Sequence, residues 1–404
     1  MTTDESKLCV VAGAGPVGLT AALALAGRGV DVVVVEAESA GRQRPGSRAI
    51  FLGNPTLRRL ERDAGVGRAV ADAGLQVRGY DTFYRGKRVL HLPFPVFDNA
   101  LHGLGASVPQ TVLERHALAR LDDLGVPIRW GDPLLGVQTD SRGVTLDFES
   151  GSSLRAAYVI GADGARSIVR KSLGIAMEGS SDETPFIIVD VDDHPDGSTP
   201  KSYGRFDYEC PELGGRNVMH MPFAGGMRID LQCLPGDDAE YLGSPEGARE
   251  WIGSVVDPWY GEHIQWTSTY LFRQVVADTY TDPHRRVVLA GEAAHLFAPF
   301  GGRGLNSGVF DATDAASAIA AALGAPNDAE GLIDATARAR RRWGLRNRDV
   351  SSRALRRMRG TDDSTRIARR VAARVAPAFV PAGAWLANGP TMLTLPPPGM
   401  RNFY

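Results

Sequence analysis

The sequence predicts a fold of the α/β plus antiparallel β class: a discontinuous parallel-sheet domain, an inserted antiparallel β-sheet domain and C-terminal helices. Three observations predict this arrangement. A strand, a glycine-rich turn, a helix and a second strand follow one another over residues 8–36. Residues 217–233 alternate polar and apolar side chains around an Ala-Gly-Gly turn, which is typical of a hairpin. An arginine-rich, helix-compatible stretch begins at Arg338.

The first segment joins an apolar strand at 8–12 to a helix predicted over 16–28 and a β-branched strand at 31–36. This is the order of a Rossmann-type unit, which binds a dinucleotide pyrophosphate at the positive end of its helix. The acidic residue that ends the second strand, roughly 20 residues after the turn, is placed to bond a ribose 2′-hydroxyl. The predicted contact residues are Gly13, Gly15, Pro16, Val17, Gly18 and Glu36.

The second segment follows a predicted hairpin, whose strands are 144–148 and 154–160. The chain then turns through Gly161-Ala-Asp-Gly-Ala-Arg-Ser167, with a helix predicted to begin near Ala165. The first segment alone leaves NAD and FAD open, and an ordinary glycine-rich turn is its plainest alternative. The second segment favours FAD, because its turn resembles a segment of a known protein family.

The turn at 161–167 resembles the second fingerprint of flavoprotein hydroxylases of the para-hydroxybenzoate hydroxylase type, also called class A flavin monooxygenases. That fingerprint has an Asp-Gly pair followed by an arginine and a serine. The resemblance implies that Asp163 and Gly164 lie near the FAD pyrophosphate. An Asp-Gly turn that caps the following helix is compatible with this role.

The third segment, residues 286–306, runs from a strand through a turn into a glycine-dense bend before a helix predicted over 307–323. The resembling family uses such a turn to place a carboxylate on the ribityl hydroxyls and the helix-start amides to hold the flavin ring. Two residues depart from the family pattern: Glu292 replaces an aspartate, and Arg303 replaces a glutamine. The implied cofactor contacts are Glu292, Pro299, Gly302, Gly304, Leu305 and Asn306.

Two shorter matches complete the resemblance, which covers residues 7 to 323 and is thinnest between 175 and 285. The stretch 45–50 is similar to one whose arginine contacts the cofactor, which implies Arg48 as a contact. The stretch 108–118 is similar to a helix start whose glutamine or arginine touches the ribityl and pyrophosphate region. It implies Gln110.

The positions of these segments predict the domain organisation, since cofactor-contacting segments lie at both ends of the first 330 residues. We expect a discontinuous FAD-binding domain at 1–75, 101–175 and 286–330, a substrate-binding β-sheet domain at 76–100 and 176–285, and a C-terminal helical region and tail at 331–404. Within the hairpin, alternation predicts one face with Ile229, Leu231 and Cys233 and another with Arg228, Asp230 and Gln232.

The resemblance implies an NAD(P)H- and O2-dependent FAD monooxygenase. Noncovalent FAD would be reduced by NAD(P)H, and a flavin C4a-hydroperoxide would hydroxylate a phenol: a hydroxybenzoate, an aminohydroxybenzoate or a larger phenol. NAD(P)H is expected to be a transient cosubstrate, because the sequence has a single Gly-x-Gly-x-x-Gly. The alternatives are an epoxidase or hydroxylase of an olefin or polyketide, a noncatalytic flavin-binding redox sensor, and a flavin-dependent halogenase, which the absence of a Trp-x-Trp signature among the six tryptophans disfavours.

A phenol reacts best as its phenolate, so a base or hydrogen-bond chain should reach its hydroxyl. The catalytic candidates are His220, Tyr203 and Tyr270, and the substrate-binding candidates are Arg205, Tyr208, Arg228 and Arg273. A simple hairpin register would put His220 on the face of Arg228, although a histidine in a strand more often has a structural role. We expect His295 to shape the flavin loop.

The composition predicts a cytoplasmic enzyme whose partners are a small aromatic molecule and O2, either a monomer or a homodimer. A formal net charge of −2 gives no reason to expect nucleic acid or membrane partners. The arginine-rich stretch from 338 to 374 is interpreted as a solvated helix face. Three dispersed cysteines are too few for a disulfide framework or a zinc site, and no metal is expected. The first residues lack the positive region of a signal peptide.

Overall fold

The computed structural model describes residues 7–42, 45–95, 101, 103–181 and 184–391. Its strands are β1 Cys9–Ala12, β2 Val32–Val35, β3 Phe51–Gly53, β4 Gly79–Tyr84, β5 Lys87–Pro93, β6 Gly105–Ser107, β7 Ile128–Arg129, β8 Leu134–Asp140, β9 Gly143–Phe148, β10 Ser153–Ala156, β11 Tyr158–Gly161, β12 Met177–Ser181, β13 Phe186–Asp192, β14 Tyr203–Cys210, β15 Arg216–Phe223, β16 Gly226–Gln232, β17 Ile264–Tyr270, β18 Arg273–Ala277, β19 Val287–Leu289 and β20 His295–Leu296. Its α-helices are α1 Pro16–Ala26, α2 Asn54–Ala64, α3 Gly67–Asp72, α4 Gln110–Asp123, α5 Ile168–Ser172, α6 Ala239–Gly243, α7 Pro245–Ile252, α8 Trp259–Glu262, α9 Arg303–Gly324, α10 Ala329–Arg359, α11 Asp363–Val375 and α12 Val380–Thr391.

A five-stranded parallel sheet in the order β19-β11-β1-β2-β7 forms the centre of the cofactor half of the molecule. The strand–turn–helix–strand unit predicted at the start of the chain is confirmed, with ends within two residues of the expected ones. Helix α1 is buried along most of its length rather than on one stripe, because the alanine-rich α9 packs closely on it.

A seven-stranded sheet in the order β17-β13-β16-β15-β14-β4-β5 forms the other half. Neighbouring strands are antiparallel except β14 and β4, which are parallel, so the predicted antiparallel sheet is in fact mixed. The predicted hairpin is β15–β16, and its two predicted faces are confirmed by burial. One face, with Ile229 and Leu231, packs on α7. The opposite face points toward the cofactor half, and we call it the site face.

Two local predictions were wrong in their boundaries. The predicted strand at 154–160 is two strands in different sheets: β10 pairs with β9, whereas β11 pairs in parallel with β1 and β19. The helix expected near Ala165 begins at Ile168, because Ser167 caps it and accepts a hydrogen bond from the amide of Arg170.

The C-terminal helices pack on the site face of the sheet, and part of the arginine-rich stretch is buried rather than solvated as predicted. Arg340 is 8% exposed, and its Nε lies 2.7 Å from the carboxylate of Asp311 in α9. Arg369 is 3% exposed and donates to the carbonyl of Met358 at 2.7 Å. These guanidinium groups hold helices together because they satisfy carboxylate and carbonyl oxygens that packing has removed from water.

Candidate active site

The first glycine turn has the tight geometry expected for phosphate binding. Gly13 has φ 101°, and a Cβ there would lie 2.5 Å from the carbonyl oxygen of Ala162 in the second segment. A Cβ on Gly18 would overlap the carbonyl oxygen of Gly13, so α1 can approach the turn only with glycine at this position. Gly15 is the N-cap of α1 and gives it no side-chain cap. The positive end of the helix can therefore receive an anion.

Glu36 directly follows β2 and is an anion at neutral pH. Its carboxylate accepts hydrogen bonds from the amides of Ala14 at 2.6 Å and Glu38 at 3.0 Å, and Arg42 lies 2.8 Å away. Burial opposes ionisation, but these donors outweigh it and lower the pKa of Glu36. The sequence analysis missed Arg42, since an arginine in an irregular loop carries no periodic signal.

The second segment is held against the first by its backbone and is organised by Asp163. The amide of Ala162 donates to the carbonyl of Ala12 at 2.9 Å. Asp163 Oδ2 accepts from the amides of Ile168 and Val169 at 2.7 and 3.0 Å. Asp163 Oδ1 is buried with no hydrogen-bond partner among the described residues. The predicted helix-capping role of Asp163 is thus present, and one of its oxygens is left for a ligand.

The third segment meets the first at Val17. A Cβ added to Gly291 or Gly308 would lie 3.0 Å or 2.6 Å from the Val17 side chain, so this contact requires two glycines. Gly302 has φ 64° and is the N-cap of α9 without a side-chain cap, while a Cβ on Gly304 would meet open space. Helix α9 therefore begins at Arg303, earlier than predicted, and its amino end is open to a ligand.

Other predicted contacts of the third segment have structural partners. Asn306 accepts from the amide of Gly53 at 2.8 Å and donates to the carbonyls of Phe51 and Gly302, so it fixes the start of α9 to β3. Arg303 donates to the side chain of Asn347 at 2.8 Å. Among the remaining predicted contacts, Glu292 and Pro299 are exposed, and Leu305 packs partly against the core of the cofactor half.

A buried cluster of polar and charged side chains supports this loop, and it includes His295. The imidazole is 1% exposed, its Nε2 lies 2.7 Å from Asp311 Oδ2, and its ring stacks on Phe297. Burial raises the pKa of Asp311, but Arg340 and His295 outweigh that effect and lower it. These contacts are those expected of a residue that shapes the loop.

The segments that contain Arg48 and Gln110 meet through a backbone hydrogen bond. The amide of Gln110 donates to the carbonyl of Ser47 at 2.9 Å, and the Gln110 side chain donates to Glu114. Arg48 has φ 61°, which is uncommon for a non-glycine residue. Its guanidinium lies over the Trp266 ring at 5.4 Å, and its buried Nε has no hydrogen-bond partner in the described ranges.

Arg228 is on the site face, but its charge already has a partner. Its Nε lies 3.0 Å from Asp190 Oδ1, and its Nη2 donates to Ser47 Oγ at 2.8 Å. Ser47 donates to Asp190 from both its amide and its hydroxyl. The predicted free anchor for an acidic substrate is thus a buried clamp between the two halves. Sequence reasoning missed Ser47 and Asp190, because they are distant in the chain.

The expectation that His220 shares a face with Arg228 is wrong. Across the hairpin His220 pairs with Ile229, and Met221 pairs with Arg228, so His220 lies on the face that packs against α7. Burial lowers its pKa to about 3 and keeps it neutral. Arg205 pairs with His220 on this distal face and binds Asp207 through two hydrogen bonds of 2.6 Å.

The remaining candidates are dispersed. Tyr203 stands on the same face as Arg205, is 39% exposed, and its ring lies 5.1 Å from that of His91 in a tilted arrangement. Tyr208 is fully buried, and its hydroxyl donates to the carbonyl of Leu386 in α12 at 2.8 Å. Tyr270 is on the site face at the edge strand β17, close to Trp266. Arg273 is exposed at the start of β18.

The residues present fit an extended dinucleotide. The three glycine segments converge, two helices of 11 and 22 residues start there without side-chain caps, and Asp163 Oδ1 and Arg48 Nε are buried without partners in the described part of the chain. Each of these is a polar group that a bound nucleotide would satisfy. Among the described residues no helix is long and apolar enough to cross a membrane, and no three His, Cys, Asp or Glu side chains form a metal-binding group.

Comparisons with known proteins agree with this geometry. A model of the FAD binding domain family matches residues 5–349. Rifampicin monooxygenase of Streptomyces venezuelae is 30% identical over 80% of this chain and 66% of its own, and 3-(3-hydroxy-phenyl)propionate/3-hydroxycinnamic acid hydroxylase of Paraburkholderia xenovorans is 32% identical over 75% and 48%. The chain thus spans between about half and two thirds of their lengths. The crystal structure of p-nitrophenol 4-monooxygenase PnpA from Pseudomonas putida has a TM-score of 0.77 at 25% identity and covers 94% of this chain and 95% of its own.

Proposed function

The chain belongs to the FAD binding domain family, and on this premise we propose that it is an NAD(P)H- and O2-dependent monooxygenase that hydroxylates a phenolic aromatic compound. Family membership confirms the predicted FAD cofactor and the resemblance to flavoprotein hydroxylases. The observation that carries the proposal is the placement of the open amino end of α9 beside the site face. Phe300, in the bend before α9, packs on Phe186 of β13 with ring centroids 5.2 Å apart.

Bound FAD supplies the redox chemistry, since it accepts a hydride from NAD(P)H and activates O2. The amino end of α1 would hold the pyrophosphate, and Glu36 would accept a hydrogen bond from the adenosine ribose. The amides at the amino end of α9 would donate to the carbonyl edge of the flavin ring and favour negative charge on the reduced ring. The aromatic cluster of Phe186, Phe272 and Phe300 would exclude water beside it.

The site face would bind the substrate. Residues that pair across the strands form rows on this face. One row lies next to Ser47 of the cofactor half and consists of Tyr80, Gly204, Met221, Arg228 and Asp190. Apolar Met221 and the aromatic ring of Tyr80 provide a surface for a planar ring. NAD(P)H would bind transiently, and the described residues contain a single parallel sheet with a dinucleotide turn.

A larger substrate is the second candidate. The similar proteins include, by name, a monooxygenase of rifampicin, a far bigger molecule than p-nitrophenol. A hydroxylase or epoxidase of an olefin or polyketide would use the same cofactor site and the same sheet face. The two candidates differ only in which compound stimulates oxidation of the reductant.

The test is NAD(P)H oxidation by the purified flavoprotein with a panel of hydroxybenzoates, aminohydroxybenzoates, 3-(3-hydroxyphenyl)propionate, 4-nitrophenol and larger phenols. We expect slow oxidation alone, much faster oxidation with one phenol, and a product heavier by one oxygen atom that derives from O2. Stimulation by an olefin or polyketide but by no phenol would replace the first candidate with the second. Flavin reduction that alters partner binding without any turnover would instead support a redox sensor.

A further inference from the structure

Buried polar groups without partners occur together on the site face. Asp230 in β16 is 4% exposed, and its Oδ1 has no hydrogen-bond partner in the described part of the chain. Tyr80 and Thr82 in β4 are 1% and 0% exposed, and neither hydroxyl has such a partner. Unsatisfied groups of this kind are rare in proteins, because each costs the full penalty of desolvation. Several on one face indicate a polar ligand.

The sheet register places these groups in adjacent rows. Asp230 pairs with Met219, which pairs with Phe206, which pairs with Thr82. Tyr80 pairs with Gly204 in the next row. A Cβ on Gly204 would lie 2.7 Å from the Tyr80 ring and 3.1 Å from the methyl of Met221, so glycine here lets the tyrosine ring lie over the sheet. Burial is the main cause that raises the pKa of the Tyr80 hydroxyl, Tyr208 and Asp207 raise it further, and Asp230 adds a smaller effect in the same direction.

We propose that Asp230 and Tyr80 form the subsite that binds the hydroxyl of the substrate phenol, with Asp230 as the acceptor of its proton and Tyr80 as a donor to its oxygen. The inference rests on the proposed function and assigns its proton-transfer residue. The alternation of the hairpin predicted that Asp230 lies on this face but assigned it no role. Pattern alone does not distinguish a catalytic aspartate in a buried strand from a structural one.

The charged and titratable groups that face Asp230 are Arg228 of its own strand, Asp190 of β13 and Tyr80 of β4. Arg228 lies 4.0 Å from Asp230 Oδ1 but is hydrogen-bonded to Asp190, so Asp230 is the carboxylate with acceptor capacity to spare. Burial raises the pKa of Asp230 to about 7, where a general base works best. Burial also raises the pKa of Tyr80 well above its usual range, so Tyr80 keeps its proton and donates it in a hydrogen bond.

The chemical step is a proton transfer. The O–H bond of the phenol breaks, its proton forms a new O–H bond with the Asp230 carboxylate, and the electron pair stays on the phenol oxygen. The products are a phenolate and a neutral carboxylic acid, and no oxidant or reductant is consumed. The hydroxyl of Tyr80 stabilises the phenolate oxygen, and the more electron-rich ring is the better partner for an oxygen-transferring flavin.

The first experiment measures binding by titration of the flavin absorbance with 4-nitrophenol and with nitrobenzene, which lacks the hydroxyl. We expect the wild type to prefer 4-nitrophenol by at least about 10-fold, because buried polar groups that stay unpaired penalise binding of the analogue without a hydroxyl. Asp230→Asn should reduce the preference below about 3-fold, since an amide cannot take the proton, and Tyr80→Phe should reduce it as well. The flavin content of each variant reports folding.

Asp207→Asn is the matched control, because Asp207 is equally buried in β14, two strands away from β16 in the same sheet, but faces the distal side and binds Arg205. It should retain the wild-type preference. With a phenol that is turned over, the wild-type kcat/KM should rise as the pH increases through about 7. Asp230→Asn should flatten this profile and lower kcat/KM by about 100-fold or more at high pH.

The outcomes separate the two proposals. An unchanged preference and an unchanged pH profile in Asp230→Asn, or an equal loss in Asp207→Asn, would overturn the subsite and leave the proposed function intact. A hydroxyl preference that depends on Asp230, without turnover of any phenol, would support the subsite and overturn phenol hydroxylation. Failure of every phenol to bind the flavoprotein would overturn both.

Discussion

The two halves of the molecule differ in which part of the polypeptide forms the proposed site. In the cofactor half the proposed site consists of backbone, with helix amides and glycines at Gly15, Gly18 and Gly302. In the substrate half the proposed site consists of side chains on one face of a sheet, and the strand register decides which side chains lie there. A glycine turn requires a fixed spacing along the chain, whereas a sheet face joins residues that are far apart in it. The cofactor half is therefore the one that sequence reveals.

The substitution with the largest expected effect disrupts the cofactor half alone. Gly18→Ala would place a Cβ on the carbonyl oxygen of Gly13 and force α1 away from the turn. We expect loss of bound FAD and a decrease of about 3 kcal/mol or more in the free energy of unfolding, because the overlap is with backbone. Flavin absorbance per chain and urea unfolding measure both. Gly331→Ala, in α10 where a Cβ would meet open space, is the control and should bind FAD normally.

The next effect tests the clamp between the halves. Asp190→Ala removes the partner of buried Arg228 and the acceptor of two hydrogen bonds that Ser47 donates. The free energy of unfolding should fall by about 3 to 5 kcal/mol, as for other buried charges left unpaired. Glu262→Ala breaks an ion pair whose two side chains are each 57% exposed, and it should cost about 0 to 1 kcal/mol. Equal losses in urea unfolding would show that the clamp is not a buried pair.

A smaller effect is the dependence of stability on pH in the substrate half. Burial raises the pKa of Asp230 from 3.8 to about 7. Below the pKa of the unfolded chain, Asp230 is neutral in both states and stability is at its highest. As the pH rises from there to about 7, stability is lost, because the unfolded chain ionises more readily than the folded one. The Asp230→Asn variant has no carboxylate to ionise at this buried position. It should therefore be more stable than the wild type at about pH 8, by roughly 2 to 4 kcal/mol. Urea unfolding at several pH values tests this. A constant difference across the range would contradict the buried titration.

The smallest effect concerns the departure from the family pattern at Glu292. The side chain is exposed on a single 3-10 turn, Gly291–Ala293, that is fixed by the Asp311 contact to the amide of Gly291. Glu292→Asp restores the family residue and shortens the side chain by one methylene. We expect the FAD dissociation constant to change by less than about 3-fold, since an exposed carboxylate contributes little to a polar contact. A change of 100-fold by fluorescence titration would give Glu292 a central role in holding the ribityl chain.

Sequence reasoning predicted most of the fold of the cofactor half and little of the substrate site. The turn at Gly13 and the strand that ends at Glu36 follow from local spacing and apolar periodicity. His220 was misplaced because one residue of register moves every side chain of a strand to the opposite face. Asp190 and Ser47 meet across 143 residues, and no local pattern reports such a contact. The domain boundaries within the chain stay a prediction.

We propose that the three glycine-bearing segments hold one FAD molecule. The most direct test of this proposal is the flavin content of the purified protein, measured by absorbance before and after denaturation, followed by reconstitution of stripped protein with FAD. We expect a yellow protein that releases about one noncovalent FAD per chain and takes it up again. A folded, colourless protein that does not bind added FAD would contradict the proposal.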